Sequence, residues 1–445
     1  MNEVRLGDII DFFISGDWGK EKNSTQTPNK VRCIRGADID NINANQSDTI
    51  PIRYINNSSF ENKILEVGDI VIEKSGGSPT QSTGRVGYIS KKIKRELNYI
   101  VCSNFCTAFR VKPEYDALFV YYYFRHIYNS NVYFQFESQT TGIKNLLLDL
   151  ALGEIPFANF DKPTQTAIAR VLSSLDDKIE LNNKINKELE NLAKTIYEYW
   201  FVQNAEKKWE KGKLSEIANI TMGQSPNGIS YNENGNGIIF YQGCTDFGER
   251  FPTVRQYTTA PTRFAEIGDI LLSVRAPVGS LNFANTRCCI GRGLAALNSK
   301  IGSITHLYYI LKDLEMLFMR RNTDGTTFGA ITKDDLFSLP VIKPPKDVLL
   351  RFEKNAKPIF DKQFKIAEEN IHLAQFRDFL LPLLMNGQVT VGEAQDEPTI
   401  ISFKKIADND TKFQTWKEQI GLAARGDIDE QTLRNIYEAI DENDR

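Results

Sequence analysis

The sequence predicts an α+β fold with two similar domains, each a curved β-rich sheet with helices, separated by two long helices that form an antiparallel coiled coil with a pseudo-two-fold axis. The first observation behind this prediction is an internal repeat. Glu-Val-Gly-Asp-Ile-Val at residues 66–71 recurs as Glu-Ile-Gly-Asp-Ile-Leu at residues 266–271. The second is that each half continues into a long charged segment of helical periodicity. A period this long exceeds the roughly 20–50 residues of a solenoid unit, so it indicates a duplicated domain.

Further short motifs occur in the same order in both halves. The matched segments are residues 5–10 with 213–218, 140–143 with 326–331, and 155–156 with 339–340. The first pair is predicted as an initial strand of each domain, the second is a Thr-Thr turn, and the third is an Ile-Pro or Leu-Pro step before the helix. The repeat therefore extends over the whole of each domain.

The composition is that of a globular chain outside the membrane. Of 445 residues, 41% are hydrophobic and 25% are charged. No apolar run approaches the roughly 18 residues of a membrane span, and the first residues do not resemble a signal peptide. Six irregularly spaced cysteines fit a reducing compartment, so we expect a cytoplasmic protein. Cys102 and Cys106 resemble half a zinc site, but no second pair completes it, and buried thiols are favoured.

Residues 1–157 are predicted as the first domain and residues 207–343 as the second. Short β-rich runs alternate with turn residues in the first, at residues 31–34, 69–72, 86–89 and 106–111. A helix at about 115–128 carries four consecutive aromatic residues, and residues 305–311 form its counterpart. These aromatics could stack on bases, but their helical spacing favours the core.

The two long helices are predicted at residues 158–206 and 344–388. Spacings of four and three define a seam whose register is the same in both helices. The seam positions are Ile168, Leu172, Leu175, Ile179, Asn182, Asn186, Leu189, Ala193 and Ile196, and 184 positions later Phe352, Ala356, Ile359, Gln363, Ile366, Asn370, Leu373, Arg377 and Leu380. Each helix could instead pack on its own domain, but the seam amides favour helix pairing, since buried amides fix register. Residues 389–445 are predicted as an acidic helical tail, either a partner-docking pair or a solvated appendage.

The sequence carries no recognisable catalytic or metal-binding motif. Phosphate-binding loops, His-Glu-x-x-His and Gly-x-Ser-x-Gly are missing, and so is the tetrad of adenine methyltransferases. Only three histidines are present for general-base chemistry. We therefore predict no catalytic residue and no metal ligand in this chain.

Candidate DNA contacts occur in loops that follow corresponding strands. Residues 73–85 combine glycines with basic and hydroxyl side chains, and residues 273–280 and 291–293 do so in the second half. A solvated hairpin would have a similar composition, but its recurrence in both halves favours contact. Arg35 in the first half corresponds to Gln242 in the second, and each ends a strand and precedes a glycine. Arginine commonly reads guanine and glutamine pairs well with adenine. The alternative is that either side chain pairs with a neighbouring carboxylate. The predicted DNA-binding residues are Arg35, Lys74, Ser75, Gln81, Thr83, Arg85, Thr140, Thr141, Lys144, Gln242, Arg275, Arg292, Thr326 and Thr327.

Residues 155–157 and 168–186, followed by Tyr-Trp-Phe at residues 199–201, closely resemble the central helical region of the specificity subunits of type I restriction-modification systems. The duplicated Gly-Asp-Ile and Thr-Thr-Gly-Ile motifs are also similar to that family, over about residues 1–388. The resemblance implies two target-recognition domains, residues 1–157 and 207–343. Each would read one half of a bipartite asymmetric double-stranded DNA site, and the helices would set the unread gap.

The resemblance also implies partners. Two methyltransferase subunits would dock on the helices, bring S-adenosylmethionine and methylate an adenine in each half-site. Restriction (translocase) subunits, which use ATP and Mg²⁺, would complete a restriction enzyme. Two other interpretations stay open at this point: a DNA-modifying enzyme with an unrecognised active site, and a two-headed DNA-binding regulator without a methylase partner.

Overall fold

The computed structural model describes residues 4–76, 81–140, 143–323, 330–391 and 401–403. The chain divides into two compact units: unit 1 is Met1–Glu180 with His372–Arg445, and unit 2 is Leu181–Ile371. Each unit therefore combines one β-rich domain with a part of each long helix. Within the described ranges, no helix has the length and apolar character that a membrane crossing requires.

Within residues 4–157 of unit 1, the described part of the chain forms three small sheets. Its strands are β1 (Ile10–Ser15), β2 (Asn29–Ile34), β3 (Ile52–Ile55), β4 (Ile70–Glu73), β5 (Ser75–Gly76), β6 (Val86–Tyr88), β7 (Ile100–Cys102), β8 (Cys106–Val111), β9 (Glu137–Thr140) and β10 (Ile143–Leu146). The strand orders are β1-β8-β4-β6, β3-β2-β7 and β5-β10-β9, and β2 pairs with β7 in parallel. The α-helices of its domain are α1 (Ile39–Asn43), α2 (Asn57–Asn62), α3 (Lys91–Leu97), α4 (Ala117–Asn129) and α5 (Leu148–Glu154). The strands predicted at residues 31–34, 69–72, 86–89 and 106–111 are confirmed to within one or two residues.

Unit 2 repeats this arrangement. After α6 (Lys162–Glu198), its strands are β11 (Glu210–Lys213), β12 (Ala218–Met222), β13 (Tyr231–Asn232), β14 (Ile238–Tyr241), β15 (Tyr257–Thr258), β16 (Phe264–Ala265), β17 (Ile270–Ser273), β18 (Leu281–Phe283), β19 (Cys288–Ile290), β20 (Leu294–Ser299) and β21 (Pro340–Lys343). The order β12-β20-β17-β18 matches β1-β8-β4-β6, and β14 pairs with β19 in parallel as β2 does with β7. The remaining α-helices are α7 (Leu214–Ile217), α8 (Ile304–Thr323), α9 (Lys333–Ser338) and α10 (Lys346–Met385).

The repeated Gly-Asp-Ile motif is a turn that begins β4 and β17. Gly68 and Gly268 have φ values of +95° and +84°, in the region that favours glycine. The following aspartates accept a backbone hydrogen bond from the residue three positions earlier, at 2.7 Å for Asp69 and 2.9 Å for Asp269. The motif therefore recurs because one turn geometry recurs.

The initial strands predicted at residues 5–10 and 213–218 are wrong. Leu6–Ile9 is a turn of 3-10 helix and Leu214–Ile217 is a short α-helix. In each case an acidic side chain accepts the backbone N–H three residues earlier, at 2.8 Å for Asp8 and 3.0 Å for Glu216. This capping favours a helical turn over a strand, and the strand begins only afterwards.

The two long helices pair through the predicted seam. Every seam position is buried or half-buried. Within unit 2, Asn182 Nδ2 donates to Asn370 Oδ1 at 2.8 Å, and Gln363 Nε2 donates to the carbonyl of Asn186 at 3.2 Å. Residue numbers along α10 decrease as those along α6 increase, from Asn182–Asn370 to Asn186–Gln363. The segments of the two helices in this unit are therefore antiparallel.

The aromatic helices are part of the core, as their spacing predicts. Phe119, Tyr122 and Phe124 of α4 are at most 2% exposed, and Leu307 and Tyr309 of α8 are similarly buried. In the predicted acidic tail, Val389–Val391 pairs with Ile401–Phe403 in two short strands. The helices predicted in that tail lie outside the described residues.

We expect the stability of unit 2 to depend on pH through His306, which contacts the ring of Phe201 at 4.4 Å between centroids. Burial lowers the pKa of His306 to about 3. The unfolded chain has an ordinary histidine pKa of about 6.5, so it binds the proton first as the pH falls. The contribution of this residue is complete above pH 6.5 and declines by about 1.4 kcal/mol per pH unit towards pH 3.

The His306→Phe variant should lose this part of the pH dependence, because phenylalanine fills the aromatic cluster without titrating. Urea unfolding at pH values of about 7, 6 and 5, followed by tryptophan fluorescence, measures the slope for both proteins. Equal slopes in the variant and the unaltered chain would contradict the assignment.

Candidate nucleic-acid interface

In unit 2, four loops meet at one end of the sheets. Three of these loops follow β12, β14 and β17, and the fourth connects β19 to β20. Backbone hydrogen bonds hold them together: Gly291 N–H donates to Tyr241 O at 2.8 Å, Val274 N–H to Gly293 O at 2.9 Å, and Gln224 N–H to Ile290 O at 3.0 Å. We call residues 223–226, 242–246, 274–280 and 291–293 the unit 2 loop cluster.

Unit 1 contains an equivalent cluster, residues 16–18, 35–38, 74–76 and 103–105. The corresponding bonds are Ser103 N–H to Ile34 O, Lys74 N–H to Phe105 O and Asp17 N–H to Cys102 O, each 2.8 Å. The same backbone framework therefore presents different side chains in the two units. This is the arrangement that two readers of different sequences would have.

A glycine is required at the start of both clusters. A Cβ atom would lie 2.0 Å from the carbonyl oxygen of Ser103 if added to Gly16, and 2.2 Å from that of Gly291 if added to Gly223. Both distances are far below van der Waals contact, so any side chain would separate the two loops. Sequence reasoning missed this pair, although each glycine directly follows a strand, β1 in unit 1 and β12 in unit 2.

Arg35 is held by a carboxylate in this structure. Its Nε and Nη2 donate to the two oxygens of Asp38, both at 2.8 Å, and Nη2 also reaches Thr49 O at 3.3 Å. The hydrogen bond to Asp38 raises the pKa of Arg35 above its ordinary value. Asp38 is buried, whereas the Arg35 side chain is 42% exposed. Arg35 thus has both the carboxylate partner and a solvent-facing edge.

Arg85 is more completely enclosed. Its guanidinium donates to both oxygens of Glu73, at 2.9 and 3.1 Å, and to Asp40 at 3.3 Å. The hydrogen bond to Glu73 raises the pKa of Arg85 above its ordinary value. The Arg85 side chain is 19% exposed and connects the end of β4 to α1 through Glu73 and Asp40.

Three further candidates of unit 1, Gln81, Thr83 and Lys144, lie near Glu137. Its carboxylate accepts from Lys144 Nζ at 3.0 Å and from the backbone N–H of Thr83 at 2.6 Å. Thr83 is fully buried, and Gln81 is exposed with its carbonyl 3.4 Å from Lys144 Nζ. Protein contacts therefore hold Lys144 and Thr83 in this conformation.

Two other candidates lie where β5 meets β10. Ser75 donates to Asn145 Oδ1 at 2.6 Å. Lys74 lines a pocket of about 630 Å³ together with Phe13, Thr107 and residues 146–150. Thr140 ends β9. Thr141, Thr326 and Thr327 lie outside the described residues, so their prediction is neither supported nor opposed.

In unit 2, Gln242 is oriented by a hydroxyl that sequence reasoning did not single out. Ser225 Oγ lies 3.0 Å from the amide nitrogen of Gln242 and 3.1 Å from its amide oxygen. The same hydroxyl accepts the backbone N–H of Arg292 at 3.2 Å. Ser225 thereby connects the reader candidate to the adjoining loop.

Arg275 and Arg292 are exposed. Among the described residues, neither side chain forms an ion pair, in contrast to Arg35 and Arg85. Exposed, unpaired guanidinium groups on loops are suited to contact phosphate oxygens. The described residues contain no group of three His, Cys, Asp or Glu side chains arranged to hold a metal ion.

The fold and the loop clusters define a class of protein with two similar α+β domains, each carrying a loop cluster, and two paired long helices. Residues 1–191 and 206–368 each match the family "Type I restriction modification DNA specificity domain". The chain belongs to this family of type I restriction-modification specificity subunits and carries two copies of its domain.

Individual relatives agree with this assignment. The chain is 30% identical over 303 residues to the protein named MjaX specificity subunit of Methanocaldococcus jannaschii, covering 63% of this chain and 70% of that protein. It is 22% identical to the HindI specificity subunit of Haemophilus influenzae, covering 52% and 68% of the two chains. The crystal structure of a type I restriction-modification S subunit from M. genitalium has a similar fold, with a TM-score of 0.50 and 18% identity over 86% of this chain and 96% of that one.

If Arg35 reads a base, Arg35→Ala should weaken binding by roughly 1–3 kcal/mol and relax the preference at one position of one half-site. Binding is measured on a randomised-site DNA library for the chain in complex with its methyltransferase. Arg95→Ala, which removes an exposed arginine from α3 of the same unit, is the control. If Arg35→Ala weakens binding to all DNA sequences equally, Arg35 does not read a base, and its role is limited to the ion pair with Asp38.

Arg292 should behave as a phosphate contact. Its replacement by alanine should weaken binding to all sequences alike and reduce the log–log salt slope by about one unit. Arg287→Ala is the matched control, because this exposed arginine already pairs with Glu266 at 3.0 Å. A change of base preference without a change of salt slope would contradict the phosphate role.

Proposed function

We propose that the chain reads a bipartite, asymmetric double-stranded DNA site, one half with each domain. The observation that carries the proposal is the pair of loop clusters, which share backbone hydrogen bonds but differ in side chains. Arg35 stands in one cluster where Gln242 stands in the other. Arginine suits guanine and glutamine suits adenine, so the two half-sites would differ in sequence.

We further propose that the paired helices set the unread gap between the half-sites. The amide contacts of Asn182 with Asn370 and of Gln363 with Asn186 support this role. Buried amides oppose sliding of one helix along the other, since a shifted register would leave them unpaired. A fixed register keeps the length of the helical pair constant.

Methyltransferase subunits are the proposed partners of the helices. Four apolar side chains are 37–56% exposed on the α6 segment of unit 2 and just beyond it, at intervals of four and seven residues: Leu181, Ile185, Leu192 and Tyr199. A stripe at these intervals suits an apolar helix from another protein. The methyltransferase would bring S-adenosylmethionine, and restriction subunits would bring ATP and Mg²⁺. The cytoplasm is the proposed compartment, because the partners and the DNA are there.

The chain itself is proposed to be non-catalytic. Its sequence lacks the adenine-methyltransferase tetrad, and the division of labour in a type I system assigns methyl transfer to the partner. Membership of the specificity family favours this function over a two-headed regulator without a methylase partner.

Replacing residues 207–343 with the equivalent domain of a relative should change one half-site and leave the other unchanged, because each domain carries its own loop cluster. The methylated positions are mapped on genomic DNA with the chimaera and the unaltered chain, each in complex with methyltransferase. The chain alone with S-adenosylmethionine is the control and should leave DNA unmodified. Changes in both half-sites, or in neither, would refute the division of reading between the domains.

A further inference from the structure

Arg250 lies eight residues after Gln242, on the loop that continues from the unit 2 loop cluster. Backbone contacts brace this loop: Gly248 N–H donates to Phe251 O at 3.2 Å, and Thr253 N–H donates to Asp246 O at 2.7 Å. The carbonyl of Arg250 accepts the N–H of Phe283 on β18 at 3.0 Å. The segment between Gln242 and Arg250 is therefore tied to the sheet.

The Arg250 side chain leaves the domain and joins both long helices. Nη1 donates to Glu190 Oε2 on α6 at 3.2 Å, and Nη2 donates to Gln363 Oε1 on α10 at 2.6 Å. Gln363, itself 1% exposed, donates in turn to Glu190 at 3.2 Å. One guanidinium thus contacts the domain and the two helices at a seam position.

Four aromatic rings enclose this guanidinium. Its Cζ lies 4.9–5.5 Å from the ring centroids of Phe283, Tyr308, Phe360 and Phe364. These rings belong to β18, α8 and α10, and the Arg250 side chain is only 10% exposed. A cation enclosed in this way is strongly position-dependent, because a small displacement loses hydrogen bonds and ring contacts together.

In unit 1, a smaller set of polar contacts connects the corresponding segment to α6. Asn45, ten residues after Arg35, donates to Glu180 Oε2 on α6 at 2.5 Å. Lys92 pairs with the other oxygen of Glu180 at 2.6 Å, and Ser90 donates to Asn45 Oδ1 at 2.6 Å. In both units the segment after the reader candidate is attached to a long helix by a polar contact.

We propose that Arg250 is a positioning residue that fixes the Gln242 loop on the helix pair and so determines which gap between half-sites the protein accepts. The inference rests on the proposed function. Gln242 selects the base, whereas Arg250 selects where along the helices that base is presented. Loss of the anchor lets the loop sample several positions, so sites with neighbouring gap lengths become acceptable.

The test uses the full chain in complex with its methyltransferase and a DNA library in which the gap varies by one base pair on either side of the preferred length. The readout is the ratio of methylation at the preferred gap to that at the neighbouring gaps. Arg250→Met keeps an unbranched apolar stem among the rings and removes the donors. We expect the ratio to fall by about fivefold or more, a typical coupling between sites, with base preferences unchanged.

Two controls separate positioning from general damage. Arg287→Met removes an exposed arginine of the same unit and should leave the ratio unchanged, whereas Gln242→Ala should alter base preference and not the ratio. If Arg250→Met does not fold, Glu190→Gln removes the charged acceptor while keeping side-chain size. That variant should change the ratio in the same direction.

A uniform loss of methylation at every gap, or an unchanged ratio in a folded variant, would overturn the proposal. Failure of the proposed function is recognisable separately, since the unaltered complex would then show no preference for any gap. The thermal unfolding midpoint of each complex establishes that the variants are compared in the folded state.

Discussion

Each domain depends on the long helices to complete its hydrophobic core. In unit 1, Phe119 and Phe124 of α4 belong to the same buried cluster as Leu172 of α6 and Leu380 of α10. In unit 2, Leu307 joins a cluster with residues of both helices, among them Tyr197 and Phe352. Burial of this apolar surface contributes most of the attraction between domain and helices. The helix pair is therefore a part of each core as well as the proposed spacer.

Polar contacts give this apolar packing a defined register. Within unit 1, Asp176 accepts from Tyr122 at 2.7 Å and from Arg377 at 2.6 Å. Within unit 2, Glu190, Gln363 and Arg250 form a comparable group. These ion pairs are half-buried and add little net stability, because desolvation offsets much of their attraction. Their consequence is specificity, since a displaced helix would separate these charged groups from their partners.

The two loop clusters share a backbone but not an electrostatic character. In unit 1, the candidate arginines Arg35 and Arg85 are held by Asp38 and by Glu73 with Asp40. In unit 2, Gln242 bonds to Ser225, and the charge is carried by exposed arginines. DNA would have to compete with carboxylates for the first pair, whereas the second cluster offers its cations directly. One scaffold can thus present different chemistry without a change of fold.

The sequence by itself determined the duplication, the domain order, the helical seam and the family, because these depend on local periodicity and on motifs that recur. It also marked Arg35 and Gln242 as equivalent positions. It did not reveal the helical turns at Leu6–Ile9 and Leu214–Ile217, where capping by Asp8 and Glu216 outweighed apolar alternation. Only the tertiary structure decided which cations are paired, and that Arg250 joins the helices, since the residues that contact it are 60 and 113 positions away in the chain. Such contacts arise from packing between distant segments, which local patterns do not encode.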